Sequence, residues 1–299
     1  MASMKILASG MSGLVGGALL PALARDGNEV VRLVRQSSGS SGEIQLDPAQ
    51  PITPEKVSGF DAVIHLAGET IFGRWTESKK AKIRDSRILG TRYLAEALAA
   101  SSRKPAVMIC ASAIGYYGDR GAETLTESSA PGNNFLAGVC QAWEAAAQIA
   151  SKAGIRVVSV RFGVILSPNG GALKEMLTPF KLGVGGRLGS GRQYMSWISI
   201  TDVVNAIQHV MTTESLRGPV NFVSPQPVTN SDFTRTLAGV LHRPAILPMP
   251  AFAVKAVFGE MGDELLLASA RVIPSKLEGT NYSFRHGELG AALKSMLSR

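Results

Sequence analysis

A glycine-punctuated turn between an apolar run and a helix-compatible run constrains this chain more than any other feature. In Lys5–Gly16 (KILASGMSGLVG), Ile6, Leu7 and Ala8 form a short apolar stretch suited to a buried strand. Gly10, Gly13 and Gly16 follow at three-residue spacing, and Leu14–Leu20 continues in residues that a helix tolerates. Gly10 permits a tight turn, Gly13 lets the backbone come close to a ligand, and Gly16 lets the helix lie near its strand. A helix starting near Ser12 aims free N–H groups and the positive end of its dipole at the turn. That makes an anion site, suited to a pyrophosphate. The spacing GxxGxxG is weak by itself, because an ordinary glycine-rich turn looks the same and the commoner dinucleotide pattern is GxGxxG. Context strengthens it: a strand precedes, a helix follows, and a second strand at Glu29–Val34 stands at the expected distance. A secretory leader is the rival, since Lys5 precedes an apolar segment and Ala22–Leu23–Ala24 resembles a cleavage site. Glycines and serines interrupt that segment, and cleavage would remove the first strand, so the leader reading is set aside.

The rest of the chain keeps a strand–helix beat. Strands are expected at Glu29–Arg35, Glu43–Leu46, Asp61–Leu66, Ala106–Ala111 and Val157–Val160. Helices are expected at Thr76–Ala100, with a break near Gly90, and at Asn134–Ala153. Pro21 falls inside the first helix, where a kink is expected. This alternation predicts an α/β fold with a right-handed, doubly wound parallel sheet. Beyond Ser167 the beat changes to a short helix, a glycine- and arginine-containing loop at Gly183–Gly191, and a further set: Ser196–Ile200, Asp202–Met211, Val220–Ser224 and Asn230–Leu241. Ala245–Pro250 reads as extended. The tail, Phe252–Leu297, reads as mostly helical and is expected to pack as a smaller separate lobe, giving domains at 1–245 and 246–299.

Composition excludes several classes. With 45% hydrophobic and 18% charged residues the chain fits a globular protein, and no apolar run is long enough to span a bilayer. Cys110 and Cys140 lack CxxC or metal-ligand spacing, and the four histidines are scattered, so no metal is expected. The free cysteines fit a reduced, cytoplasmic interior. Nine Lys/Arg against three Asp/Glu between Arg74 and Lys104 contribute much of the net charge of +8. A solvated helix face and a basic rim that attracts an acidic ligand both account for it. No aromatic platform, zinc spacing or recognition-helix pattern accompanies that charge, so nucleic acid is not expected as a partner.

Several motifs then carry a resemblance: HLAGE at His65–Glu69, Arg74–Trp75, SRILGTR at Ser86–Arg92, SAIGYYG at Ser112–Gly118 and FLAGVCQAWE at Phe135–Glu144. RFGVILSPNGGAL at Arg161–Leu173, GSGRQYMSWI at Gly189–Ile198 and IPSKLEGTNYSF at Ile273–Phe284 continue it. In this order they resemble the extended branch of the short-chain dehydrogenase/reductases, and within it an atypical epimerase-like family. The resemblance implies a Rossmann domain that binds a dinucleotide, a small-molecule substrate, and a C-terminal domain of unassigned role from near Leu247. It also implies a homodimer through the helices at Thr76–Ala100 and Asn134–Ala153. The cofactor contacts would come from Gly10, Ser12, Gly13, Leu14, Val15, Leu66, Ala67, Gly68, Ser112, Arg161 and Gly163.

The end of the second strand bears on cofactor choice. An NAD-preferring chain places an acid there, which repels a 2′-phosphate; Arg35 and Arg32 do the reverse and point to NADP(H). A charge-assisted hydrogen bond of this kind contributes ~1.5–3 kcal/mol, enough for tenfold selectivity.

The catalytic set is where the chain departs from the resemblance. Ser112 matches the serine that hydrogen-bonds the substrate in that superfamily. The Tyr-x-x-x-Lys pair that normally moves the proton falls on Leu136 and Cys140, and the asparagine that supports the lysine is Arg87. General acid/base help is worth ~10²–10⁴-fold, so its loss leaves a poor conventional dehydrogenase. Two rescues stand open: a phenol from Tyr117 or Tyr116, or the Glu69 carboxylate as base. Packing of both tyrosines, and pairing of Glu69 with a nearby cation such as Arg74, are the simpler accounts beside them. Arg192, on the substrate side, would clamp a phosphate or carboxylate. The reading is an NADP-dependent oxidoreductase or epimerase acting on a small polar or anionic compound. A non-catalytic NADP(H)-binding regulator, or a factor of the cell-division type, is the alternative.

Overall fold

The computed structural model describes residues 3–298. Strand β1 (Lys5–Ser9) leads through the Gly10 turn into α1 (Leu14–Arg25), followed by β2 (Glu29–Val34), β3 (Glu43–Gln45) and β4 (Ala62–His65). Next come α2 (Glu77–Ala100), β5 (Val107–Ala113), a short 3₁₀ turn at Ile114–Tyr117, β6 (Thr124–Leu125), α3 (Phe135–Lys152), β7 (Arg156–Phe162) and β8 (Val164–Leu166). The chain continues with α4 (Gly171–Lys181), β9 (Tyr194–Met195), β10 (Trp197–Ser199), α5 (Ile200–Thr212), β11 (Gly218–Phe222), β12 (Val228–Thr229) and α6 (Asn230–Leu241). The tail holds α7 (Ala251–Phe258), a π-helical stretch at Gly262–Leu267, β13 (Arg271–Val272), α8 (Ser275–Glu278) and α9 (Leu289–Leu297).

Seven strands form one sheet in the order β11-β7-β5-β4-β1-β2-β3, and every pairing within it is parallel. Side chains alternate across it with period two. Ile6, Ala8, Ile64 and Ile109 face a core closed by Leu19 and Leu23 of α1 and Val203, Ile207 and Val210 of α5. Leu7, Val63, Met108 and Cys110 face the opposite core, closed by Leu94 and Leu98 of α2 and Trp143, Ala147 and Ala150 of α3. Each fully buried Leu, Ile or Val in these layers contributes about 1.5–3 kcal/mol. Because β2 and β3 lie on one side of β1, and β4, β5, β7 and β11 on the other, the chain reverses direction at β1/β4. In sheets of this kind ligands bind at the carboxyl ends of the strands, at that reversal.

Local expectations fail in two places. Helix α2 runs unbroken through Gly90, which is buried and where a Cβ would meet only Pro48, at an ordinary contact distance of 3.8 Å. Pro21 lies inside α1, as expected. The expected strand Ser196–Ile200 stops at Ser199, whose hydroxyl caps α5 by accepting from Asp202 N. The tail is helical as expected, but it spreads over the body instead of standing apart. Leu277 belongs to the α1/α5 core, and Leu289, Ala292 and Leu293 of α9 pack with Phe233 and Leu237 of α6. Strand β13 pairs with β6. Buried Asp202 is one anchor: Arg285 N donates to its Oδ1 at 2.7 Å and His286 N to its Oδ2 at 3.0 Å.

Candidate functional site

The glycine turn sits where the carboxyl ends of β1 and β4 diverge. Gly10 has φ of +74°, and a Cβ there would stand 2.6 Å from the Leu66 carbonyl carbon, so only glycine fits. A Cβ at Gly16 would collide with the Gly10 carbonyl oxygen, which explains how α1 approaches the turn so closely. Helix α1 begins at Leu14, two residues after the expected start, and its N-cap is Gly13, which has no side chain to close it. Helices α2, α3, α5 and α6, in contrast, are capped by Thr76, Asn134, Ser199 and Thr229. The N–H groups of Leu14, Val15 and Gly16 make no hydrogen bond within the described residues, and Ser12 and Gly13 are exposed beside them. This open helix start can receive an anion.

At the end of β2 the two arginines differ. Arg32 Nη2 lies 2.7 Å from Glu43 Oε1, and the same carboxylate accepts from Ser38 N, Ser38 Oγ and Ser37 Oγ. Those bonds, the Ser38 backbone N–H foremost, hold the Glu43 carboxyl below its usual range. Arg32 is therefore neutralised by a neighbour, which corrects the expectation that it meets a phosphate. Arg35 is exposed and makes no ion pair among the described residues. Leu66 and Ala67 line the β4 end half-buried, and Gly68 is exposed, with the Arg87 guanidinium 3.4 Å from where its Cβ would be.

Glu69 pairs with Lys79 at 2.7 Å, not with Arg74. That hydrogen bond lowers its pKa, so it persists as a carboxylate and is a weak base. Arg87 reaches back beneath this segment, donating to the carbonyls of Glu69 and Ile83, both at 3.0 Å.

Ser112 and Tyr117, unlike Glu69, belong to one buried network. Ser112 Oγ donates to Glu144 Oε1 at 2.7 Å, so only its lone pairs remain for a substrate. Glu144 receives Arg161 through two contacts, Nε–Oε1 and Nη2–Oε2, each 2.8 Å. Arg161 Nη1 also donates to Tyr117 Oη at 2.9 Å, and Tyr117 Oη donates to Asn221 Oδ1 at 2.7 Å. The guanidinium lies over the Tyr116 ring, 3.4 Å from its centroid. Arg161 is 2% exposed and Tyr117 is 0% exposed, so neither can touch a cofactor or substrate as expected. Burial pushes the Tyr117 phenol up to about 12, and the Arg161 charge offsets only part of that. Gly163 follows β7, and a Cβ there would press on Ser196 and Val223. Arg192 is exposed.

At the positions of the missing pair, Leu136 packs in an apolar cluster with Trp75, Ile83 and Met261. Cys140 is buried, and burial pushes its thiol up to about 12, so it stays protonated at neutral pH. Sequence reasoning missed Asn221 and Glu264. The latter reaches α3 from the tail, where Phe135 N and Leu136 N donate to its two oxygens at 3.1 and 3.0 Å. No local pattern announces contacts across 104 or 128 residues. Among the described residues no cluster could hold a metal, and no helix is long and apolar enough to cross a membrane.

Comparison with known proteins decides the lineage. The model of the NAD dependent epimerase/dehydratase family matches residues 6–222. The chain belongs to that family. A second model, a domain of unknown function (DUF1731), matches residues 249–296. Epimerase family protein Mb2239 of Mycobacterium bovis is 43% identical, over 98% of this chain and 97% of that one. The crystal structure of human epimerase family protein SDR39U1 (isoform2) with NADPH superposes with a TM-score of 0.91 at 34% identity, covering 99% of this chain and 100% of that one. The nucleoside-diphosphate sugar epimerase of Corynebacterium glutamicum gives 0.84 at 38% identity, over 99% of this chain but 58% of that one. The seven-stranded parallel sheet and helical tail are thus shared with members of the epimerase/dehydratase family.

Proposed function

We propose that this member of the epimerase/dehydratase family is an NADP(H)-dependent oxidoreductase that reduces a small polar compound without a Tyr-x-x-x-Lys pair. The observation that carries this reading is the uncapped start of α1 against the Gly10 turn, with the unpaired Arg35 at the end of the neighbouring strand. The human relative's structure, solved with NADPH, supports the cofactor. The N–H groups of Leu14 and Val15 would hold the pyrophosphate, the backbone at Ala67–Gly68 would border the adenosine, and Arg35 would meet the 2′-phosphate. The bound dinucleotide supplies a hydride. Ser112, with its proton directed to Glu144, can accept a hydrogen bond from a substrate hydroxyl. Leu136 and Cys140 are apolar and buried, and neither exchanges a proton with a substrate. With no side chain free to shuttle a proton both ways, one-way reduction with a solvent proton fits better than epimerisation.

One observation favours a second reading. Ser112 is bonded to Glu144, Tyr117 to Asn221 and Glu69 to Lys79, as befits a non-catalytic NADP(H)-binding regulator. NADPH oxidation over a panel of carbonyl compounds separates the two. Turnover that falls in Ser112→Ala supports the oxidoreductase, and tight NADPH binding with no turnover on any carbonyl supports the regulator.

A further inference from the structure

Resting on the cofactor part of that reading, we propose that Arg87 of α2 holds the second ribose-phosphate of the dinucleotide, the one that carries the nicotinamide. Strand order sets the path that leads there. Arg35 follows β2, the glycine turn follows β1, Leu66–Gly68 follow β4 and Ser112 lies on β5. These strands are neighbours in the sheet in the order β2-β1-β4-β5. A dinucleotide with its 2′-phosphate at Arg35 and its pyrophosphate at the start of α1 therefore crosses the end of β4 before its reducing end reaches Ser112. Arg87 stands at that crossing.

Helix α2 places the side chain. Ser86 and Arg87 belong to the face that closes over the end of β4: Glu69 N donates to Ser86 Oγ at 3.0 Å, and Arg87 Nη1 donates to the carbonyls of Glu69 and Ile83 at 3.0 Å each. A Cβ built at Gly68 would stand 3.4, 3.5 and 3.6 Å from Cζ, Nη2 and Nη1, so the guanidinium lies flat against that exposed glycine. Beyond it is the Trp143 ring of α3, with its centroid 5.1 Å from Cζ.

Two properties of this guanidinium point to a ligand. Arg87 is half-buried and makes no ion pair among the described residues, since the nearby Glu69 carboxylate is taken by Lys79. A cation drawn partly out of water without a counter-charge is costly. Its Nε and Nη2 also make no hydrogen bond among the described residues, yet neither is sealed from solvent. The donors are open where the dinucleotide would pass. A phosphate supplies both the acceptor oxygens and the charge that they lack, and ribose hydroxyls supply further acceptors. In place of the asparagine that would support a lysine, α2 thus carries the cation itself.

Calorimetric titration of the full chain with NADPH and with adenosine 2′,5′-diphosphate, which ends before the second ribose-phosphate, tests this. Arg87→Met is expected to weaken NADPH about tenfold and to leave adenosine 2′,5′-diphosphate within about twofold. Arg87→Gln, which keeps an amide donor for the two carbonyls, is expected to behave alike and serves if Arg87→Met does not fold. Melting temperatures show which variants are folded. Unchanged NADPH affinity in a folded variant overturns the proposal. Equal weakening of both ligands overturns it too, and reduces Arg87 to a clamp on the Gly68–Glu69 backbone. Failure of the cofactor reading is separable: neither ligand then gives heat with the unaltered chain, and this assignment falls with it.

Discussion

Glu144 and Arg161 form a buried two-pronged ion pair, 17 residues apart in sequence, with both N–O distances 2.8 Å. The pair organises its neighbours: Glu144 fixes the Ser112 proton, and Arg161 supports the Tyr116 ring and the Tyr117 hydroxyl. Removing one partner leaves the other buried and uncompensated. Glu144→Ala is therefore expected to lose about 3–5 kcal/mol in urea unfolding, and Glu144→Gln, which keeps an acceptor, distinctly less.

Tyr117→Phe tests whether the phenol is structural. Its loss leaves Asn221 Oδ1 without a partner and Arg161 Nη1 with only the longer bond to the Glu127 carbonyl at 3.4 Å, at a cost of about 1–3 kcal/mol. NADPH affinity should stay unchanged, because the side chain is sealed from the crevice. Any turnover should show no ionisation attributable to this residue below pH 9, since its phenol titrates at about 12. Unaltered stability with abolished turnover would instead restore Tyr117 as a catalytic group.

Much of this was legible from local pattern. The Gly10–Gly13–Gly16 spacing, the period-two strands and the apolar residues at 136 and 140 are properties of short stretches, and short stretches fix strand, turn and helix geometry. What escaped was long-range. Arg32 read as a phosphate contact because nothing nearby in sequence shows Glu43 folding back onto it. Tyr117 read as a site residue because it lies close to Ser112 in sequence, and Arg161 because the family resemblance implied it, whereas their burial depends on β11 bringing Asn221 from another part of the chain. The tail read as a separate lobe because its helices are apolar, yet that apolar surface matches grooves on α1, α5 and α6.

Buried His65 makes stability depend on acid. Its Nδ1 meets Ser9 Oγ at 2.7 Å, its Nε2 has no partner, and burial lowers its pKa to about 4. Below about pH 6.5 the unfolded chain takes up a proton that the folded chain refuses until about pH 4. Stability is thus full above this window and falls as pH drops through it, by about 2–4 kcal/mol from this group. Chemical denaturation at pH 7 and pH 4.5 should show a smaller difference in His65→Asn than in the unaltered protein.

In the proposed function the open helix start and Arg35 together hold a 2′-phosphorylated dinucleotide. Calorimetric titration with NADPH and NADH, in the unaltered chain, Arg35→Ala and Arg32→Ala, tests it most directly. NADPH is expected to bind at least about tenfold tighter than NADH, the gap to close in Arg35→Ala, and Arg32→Ala to change it little because Glu43 already occupies that guanidinium. No heat with NADPH, or an undiminished NADPH preference in Arg35→Ala, would contradict it.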